Sequence, residues 1–189
     1  GVPRTKSYTQ FLKPGGLKGK RIGIVTKVGK VYIFKNTPEV ANKHFSEVYK
    51  RLHKLGATVV NNIKLTKFDT DRQHNTAGEV EDINHYLQGF ASTRKSFLDI
   101  CNSKRTRTFG STKECIKYAK NNPKKHSAIY HAVLARFSKN RAYVEDVMNK
   151  NNLDALILPM DSSGQLTYDV SHVNTWRAAV SSNAGLPAI

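Results

Sequence analysis

Residues 20 to 60 limit what this chain can fold into more than any other stretch. Lys20-Arg21-Ile22-Gly23-Ile24-Val25 reads as a strand, introduced by the turn-forming Pro14-Gly15-Gly16. Thr37-Pro38-Glu39 has the order of a helix start: Thr as N-cap, Pro at the first helical position, an acid against the positive dipole end. Ala41, Phe45, Val48, Leu52 and Leu55 follow at alternating steps of four and three, which places them on one helical face. Gly56 supplies the left-handed residue that ends the helix, and Ala57-Thr58-Val59-Val60 reads as a second strand. Strand, helix and strand at this spacing form a βαβ-like unit, whose crossover joins parallel strands. An α/β fold is predicted.

The middle of the chain reads as helical. Thr76-Ala77-Gly78-Glu79 and Ser111-Thr112-Lys113-Glu114 have capping-box spacing, and a short helix after Ser96 should turn Phe97, Leu98 and Ile100 inward. A long helix is predicted from about 124 to 150, with Ile129, Val133, Phe137, Val144 and Val147 on its apolar side and Asn151-Asn152 closing it. Asp154-Ala155-Leu156-Ile157-Leu158-Pro159 is a third strand, apolar enough to be buried on both faces. A loop through Ser162-Ser163-Gly164 leads to a last helix at about 169 to 183. Residues 20–26, 57–61 and 155–159 should therefore share one sheet, with at least the first two parallel.

Composition narrows the class further. No aliphatic run exceeds four residues, as in Ala155-Leu156-Ile157-Leu158, far short of the roughly 18 that a membrane-spanning helix needs. Eight Phe, eight Tyr and one Trp can seed a core, which argues against a disordered chain. The net charge of +17 is uneven: residues 1–63 hold 13 Lys and Arg against 2 acids, whereas residues 127–189 hold 5 of each. That field attracts polyanions, so a basic module for nucleic acid or an acidic surface is the alternative reading. Single lysines such as Lys43, Lys50 and Lys54 along amphipathic segments read more simply as a solvated basic face. Two cysteines cannot make a disulfide framework; Cys101 and Cys115 pair only if the fold brings them together. A reduced, cytoplasmic compartment is the expectation.

Motifs for chemistry are sparse. Gly15-Gly16-Leu17-Lys18-Gly19-Lys20 is not a phosphate loop: its glycine spacing is wrong, no Ser or Thr follows the Lys, and it precedes a strand. His126 and His131 are five apart and do not share a helical face, so no metal is expected. Ser162 and Ser163 follow a strand, where a nucleophile is often placed, but lack glycines on both sides and an evident base; they read as a polar loop.

Tyr8-Thr9-Gln10-Phe11-Leu12, Gly16 to Ile24, Leu55 to Val60, Asp82 to Leu87, Leu134 to Phe137, Leu153 to Pro159, and Gly185 to Ile189, taken in order, resemble stretches of the amidase-signature family of amide hydrolases. The resemblance implies a mixed sheet wrapped by covering helices, with residues 1–189 a single partial domain from the C-terminal half of such an enzyme, cut at both ends. It implies cleavage of C–N amide bonds by a Ser–Ser–Lys triad, with no cofactor. The Gly/Ser-rich signature and Lys motif that carry the triad have no counterpart here, so no catalytic residue is assigned to this chain. Its implied partners are an upstream catalytic segment and a small amide substrate. Met160, Asp161 and Trp176, from the loop after the third strand and the last helix, are the candidate pocket-lining residues.

Overall fold

The computed structural model describes residues 13–34, 39–71, 73–89, 93–103, 111–159 and 179–188. They belong to two compact units, Gly1–Thr70 with Asn140–Ile189, and Asp71–Lys139.

The first unit is built on a mixed four-stranded sheet of β1 (Arg21–Val28), β2 (Val31–Tyr32), β3 (Thr58–Leu65) and β4 (Ala155–Ile157). β1 runs parallel to β3 and to β4, and antiparallel to β2. The three segments expected in one sheet are there, all mutually parallel. β3 accompanies β1 from Arg21↔Thr58 to Val28↔Leu65, so it takes one whole edge. β4, paired at Ile22 to Ile24, and β2, paired at Lys27 and Val28, therefore share the other.

β3 continues past Val60 through Asn61 and Asn62, a polar stretch that hides a strand from sequence patterning. Asn62 sits at φ 63°, and an extra residue there shifts the register between Gly23 and Val25. A second shift, between Val25 and Lys27, places the compensating residue at Thr26 on β1. The Thr26 hydroxyl donates to Asn62 Oδ1 at 2.9 Å, so the two bulged residues bond each other. A one-residue slip exchanges the faces of a strand. Val25 and Val28, three apart, accordingly enter the same core cluster.

Helices cover both faces of this sheet. α1 (Glu39–Lys54) buries Leu52 against Ile22 and Ala57. On the other face Val144 of α5 (Ala128–Lys150) and Val180 of α6 (Ala179–Ser182) pack with Val25, Ile63 and Leu65. The α1 stripe is narrower than its periodicity predicts. Val48 and Leu55 are exposed, because Phe45, Tyr49 and Leu52 face inward instead. Gly56, at φ 84°, ends α1 with its N–H on the His53 carbonyl and the Ala57 N–H on that of Leu52, as expected of a left-handed cap. β4 departs from expectation: Ala155, Leu156 and Ile157 are all half-buried rather than covered on both faces.

In the second unit, α2 (Glu79–Gln88), α3 (Phe97–Asn102) and α4 (Thr112–Asn121) precede the first turns of α5. Ser96 caps α3 in a full capping box with Asp99, and Ser111 accepts the Glu114 N–H to cap α4. The box expected at Thr76 does not form. α2 starts later, with Gly78 as a left-handed N-cap, because Glu79 turns its carboxylate to the Tyr118 hydroxyl instead of back to the chain. α3 is also rotated from expectation: Phe97 and Cys101 are buried, while Leu98 is exposed. Cys101 and Cys115 form a disulfide, with Cα atoms 5.5 Å apart. On α5, Ile129 is exposed and Val133 buried.

Gly23 is the tightest point of the sheet. A Cβ built there would lie 2.6 Å from Leu153 Cδ1, 2.9 Å from Leu156 Cδ2 and 3.1 Å from Ile63 Cγ1. All three side chains are packed in the core, so none can move freely aside. Gly23→Ala is expected to cost about 1–3 kcal/mol through overpacking, read from the denaturant midpoint; an unchanged midpoint would contradict this packing.

Candidate functional site at the carboxyl edge of the sheet

In open α/β sheets, ligands bind beyond the carboxyl ends of the parallel strands. β1, β3 and β4 all point one way, and their carboxyl ends are at Val28, Leu65 and Ile157. β4 stops opposite Ile24, four residues before β1 does, and β2 occupies the same edge of β1 further on. The chain leaving β4 through Leu158 and the buried Pro159 therefore emerges where β1 changes partners. Met160 and Asp161 follow next in sequence. They and Trp176 lie outside the described residues, as do Ser162 and Ser163.

Three groups of described residues furnish this end of the unit. The β1–β2 hairpin holds Lys27 Nζ 4.6 Å over the Tyr32 ring and 3.4 Å from its hydroxyl. Phe34, just past the hairpin, meets Phe45 of α1 edge-on at 5.4 Å, and Phe45 meets Tyr49 at 5.6 Å. The third group is Asn140 of α5, which is 2% exposed. Its Oδ1 accepts the Asp69 N–H at 2.8 Å, and its Nδ2 donates to the carbonyls of Asp69 and Asn183 at 3.0 and 3.1 Å. One amide thus ties the exit of β3 to the residue following α6, with both donor hydrogens used.

At the opposite, amino edge, Asp154 locks the start of β4 to β1. Its carboxylate takes Lys20 Nζ at 2.7 Å and the Arg21 N–H at 2.8 Å, while its own N–H donates to the Arg21 carbonyl at 2.8 Å. The Lys20 bond, then the Arg21 N–H, holds this carboxyl below its ordinary value. The two edges thus differ in kind: the amino edge is pinned by charge, the carboxyl edge by aromatic packing and a neutral amide.

Sequence reasoning missed Asn140 and Tyr49. Asn140 interrupts an otherwise ordinary amphipathic helix, and a polar residue on the apolar side of such a helix was the available signal. Tyr49 fell between the expected stripe positions. Among the described residues no three His, Cys, Asp or Glu side chains converge as a metal site. His126 and His131 do approach, with ring centroids 6.0 Å apart, because His126 precedes α5 at φ 63° rather than lying within the helix.

The sheet and its covering helices are similar in fold to part of solved amidases. No protein-family model and no curated protein matches the sequence. Among solved structures, the chain is similar to native peptide amidase from Stenotrophomonas maltophilia, with a TM-score of 0.66 and 18% identity over 97% of this chain and 39% of that one. It is similar to the peptide amidase bound to the competitive inhibitor chymostatin, with a TM-score of 0.61 and 19% identity over 97% and 39%. It is also similar to an amidase family protein from Bacillus anthracis str. Ames, with a TM-score of 0.59 and 20% identity over 82% and 30%. The chain spans two-fifths or less of the length of each.

Two measurements check the carboxyl edge. Asn140→Asp keeps the shape but removes both donors and sets a carboxylate against two carbonyls; it should lower stability by more than about 2 kcal/mol in a denaturant titration. A loss below 0.5 kcal/mol, on the order of an ordinary surface change, would remove Asn140 as the tie. Tyr49 behaves oppositely. Its hydroxyl is buried with no hydrogen-bond partner among the described residues, and burial pushes the phenol up to about 12 from 10.0. As pH rises through this interval the unfolded chain ionises the phenol while the folded chain does not, so stability falls. Tyr49→Phe should be neutral or stabilising by up to about 1 kcal/mol at pH 7 and should flatten the alkaline fall. A loss of stability at pH 7 would mean that the hydroxyl has a partner.

Proposed function

We propose that this chain is part of an amidase-type hydrolase of C–N amide bonds, forming sheet strands and one wall of the substrate pocket. The observation that carries this reading is the likeness to peptide amidase over 97% of the chain at a TM-score of 0.66, while only 39% of that enzyme is spanned. In this reading the Ser–Ser–Lys set belongs to an upstream segment outside these 189 residues. Its Ser forms the acyl-enzyme, its Lys acts as base, and backbone N–H groups hold the oxyanion. The carboxyl edge suits a wall. Its hairpin offers aromatic and cationic surface, the exit of β3 is tied by Asn140, and β4 leads in sequence to Met160 and Asp161.

β3 pairs only with β1 among the described residues, and β4 is half-buried. Both features support an upstream segment as the partner of this sheet. Met160, Asp161 and Trp176 are the residues we assign to the pocket, with a small amide as substrate.

By itself the chain should neither turn over amides nor be labelled by serine-directed acylating probes. Stoichiometric labelling of Ser162 or Ser163 would overturn the division of roles. With a segment bearing the Ser–Ser–Lys set supplied, amide hydrolysis should appear. Trp176→Ala in that assembly should then raise KM roughly tenfold with kcat nearly unchanged, the pattern of lost uniform binding. An unchanged KM would remove Trp176 from the pocket.

A further inference from the structure

The disulfide of the second unit bears on where the protein folds. The cluster that holds α2, α3 and α4 together contains three buried side chains, Phe97, Cys101 and Cys115. α2 buries no side chain completely. Val80, Ile83, Ile116, Tyr118 and Ala119 pack around the cluster only in part. The ion pairs Lys125–Asp82 and Arg136–Asp71 each have a partner more than half exposed, and such pairs add little. A core this small is of the kind that a covalent staple completes. The sequence places the staple well: the caps at Ser96 and Ser111 fix where α3 and α4 begin, and so set Cys101 and Cys115 facing each other, each 1% exposed.

We propose that the Cys101–Cys115 disulfide is an obligatory part of the second unit, and that this chain therefore folds and acts in an oxidising compartment. This replaces the reduced, cytoplasmic setting expected from a count of two cysteines. A pair of buried thiols would also pack as small apolar groups, but would leave α3 and α4 joined by one aromatic ring and partial contacts. Closing the bridge removes two protons and two electrons from the thiols. A small-molecule or enzyme-borne disulfide accepts them and is released as two thiols. Once closed and buried, the bridge is shielded from the attacking thiolate that would reopen it.

The test produces the full chain twice in a bacterial host, retained in the reducing cytosol and exported to the oxidising periplasm, with acid quenching and alkylation before intact-mass analysis. The exported chain should carry no alkyl group, and the cytosolic chain two. Amide exchange in α3 and α4 should be roughly a hundredfold faster in the reduced chain, the factor that the loop-closure entropy of a bridge of this span implies. Exchange in β1 should be unchanged. If Cys101→Ser with Cys115→Ser does not fold, stepwise reduction of the folded exported chain gives the same reading. Equal protection of α3 and α4 with free thiols would overturn the proposal. So would an exported chain with two alkylated cysteines. A bridge formed equally in both compartments would overturn the inference about compartment.

Discussion

The pairing capacity of β1 is the constraint on which the first unit depends. Among the described residues each of the other three strands is hydrogen-bonded to β1 and to none of the others. Ile22, Ile24, Val25 and Val28 are all 5% exposed or less, so β1 is also the most buried strand. Every polar backbone group it carries must be matched in place, since an unpaired buried N–H or C=O costs about as much as a lost hydrogen bond. The paired bulges at Thr26 and Asn62 meet that demand. They let β1 and β3 stay bonded over eight residues while re-aiming the side chains toward the core.

What could be read from the sequence divides along local and non-local lines. The strands at Arg21, Thr58 and Ala155, the cap at Gly56 and the short helix after Ser96 each rest on residues within a few positions of one another, and each is found. The misplaced features depend on partners far along the chain. Glu79 leaves its capping box for Tyr118, 39 residues on. Asn140 is explained only by Asp69 and Asn183, 71 and 43 residues away. The disulfide required α3 and α4 to be docked before it could be seen. β2, two residues long, left no periodic signal at all. The site is less legible than the fold for a related reason: its candidate residues follow β4 and lie beyond what is described, and only the strand that aims the chain toward them is in view.

The two units hold together by different means. In the first, helices on both faces of a sheet bury aliphatic side chains, each of which contributes about 1.5–3 kcal/mol when fully covered. In the second, short capped helices gather around one aromatic ring and a covalent bridge. Of the seven stretches that carry the family resemblance, five lie in the first unit and two, Asp82 to Leu87 and Leu134 to Phe137, lie within helices of the second, where no strand exists among the described residues.

The dependence of all strands on β1 also sets an order of assembly. β3 meets β1 across 37 residues, whereas Asp154 reaches Arg21 across 133. Loop-closure entropy alone makes the longer closure costlier by about 1 kcal/mol, and during synthesis its far end leaves the ribosome last. β1, β2, α1 and β3 are all made before β4, so the stretch of the β1 edge from Ile22 to Ile24 stays open until β4 arrives. An open edge is a template for wrong pairing. The excess of lysine and arginine in the first third of the chain is a charge of the kind that opposes association of like copies while that edge is open.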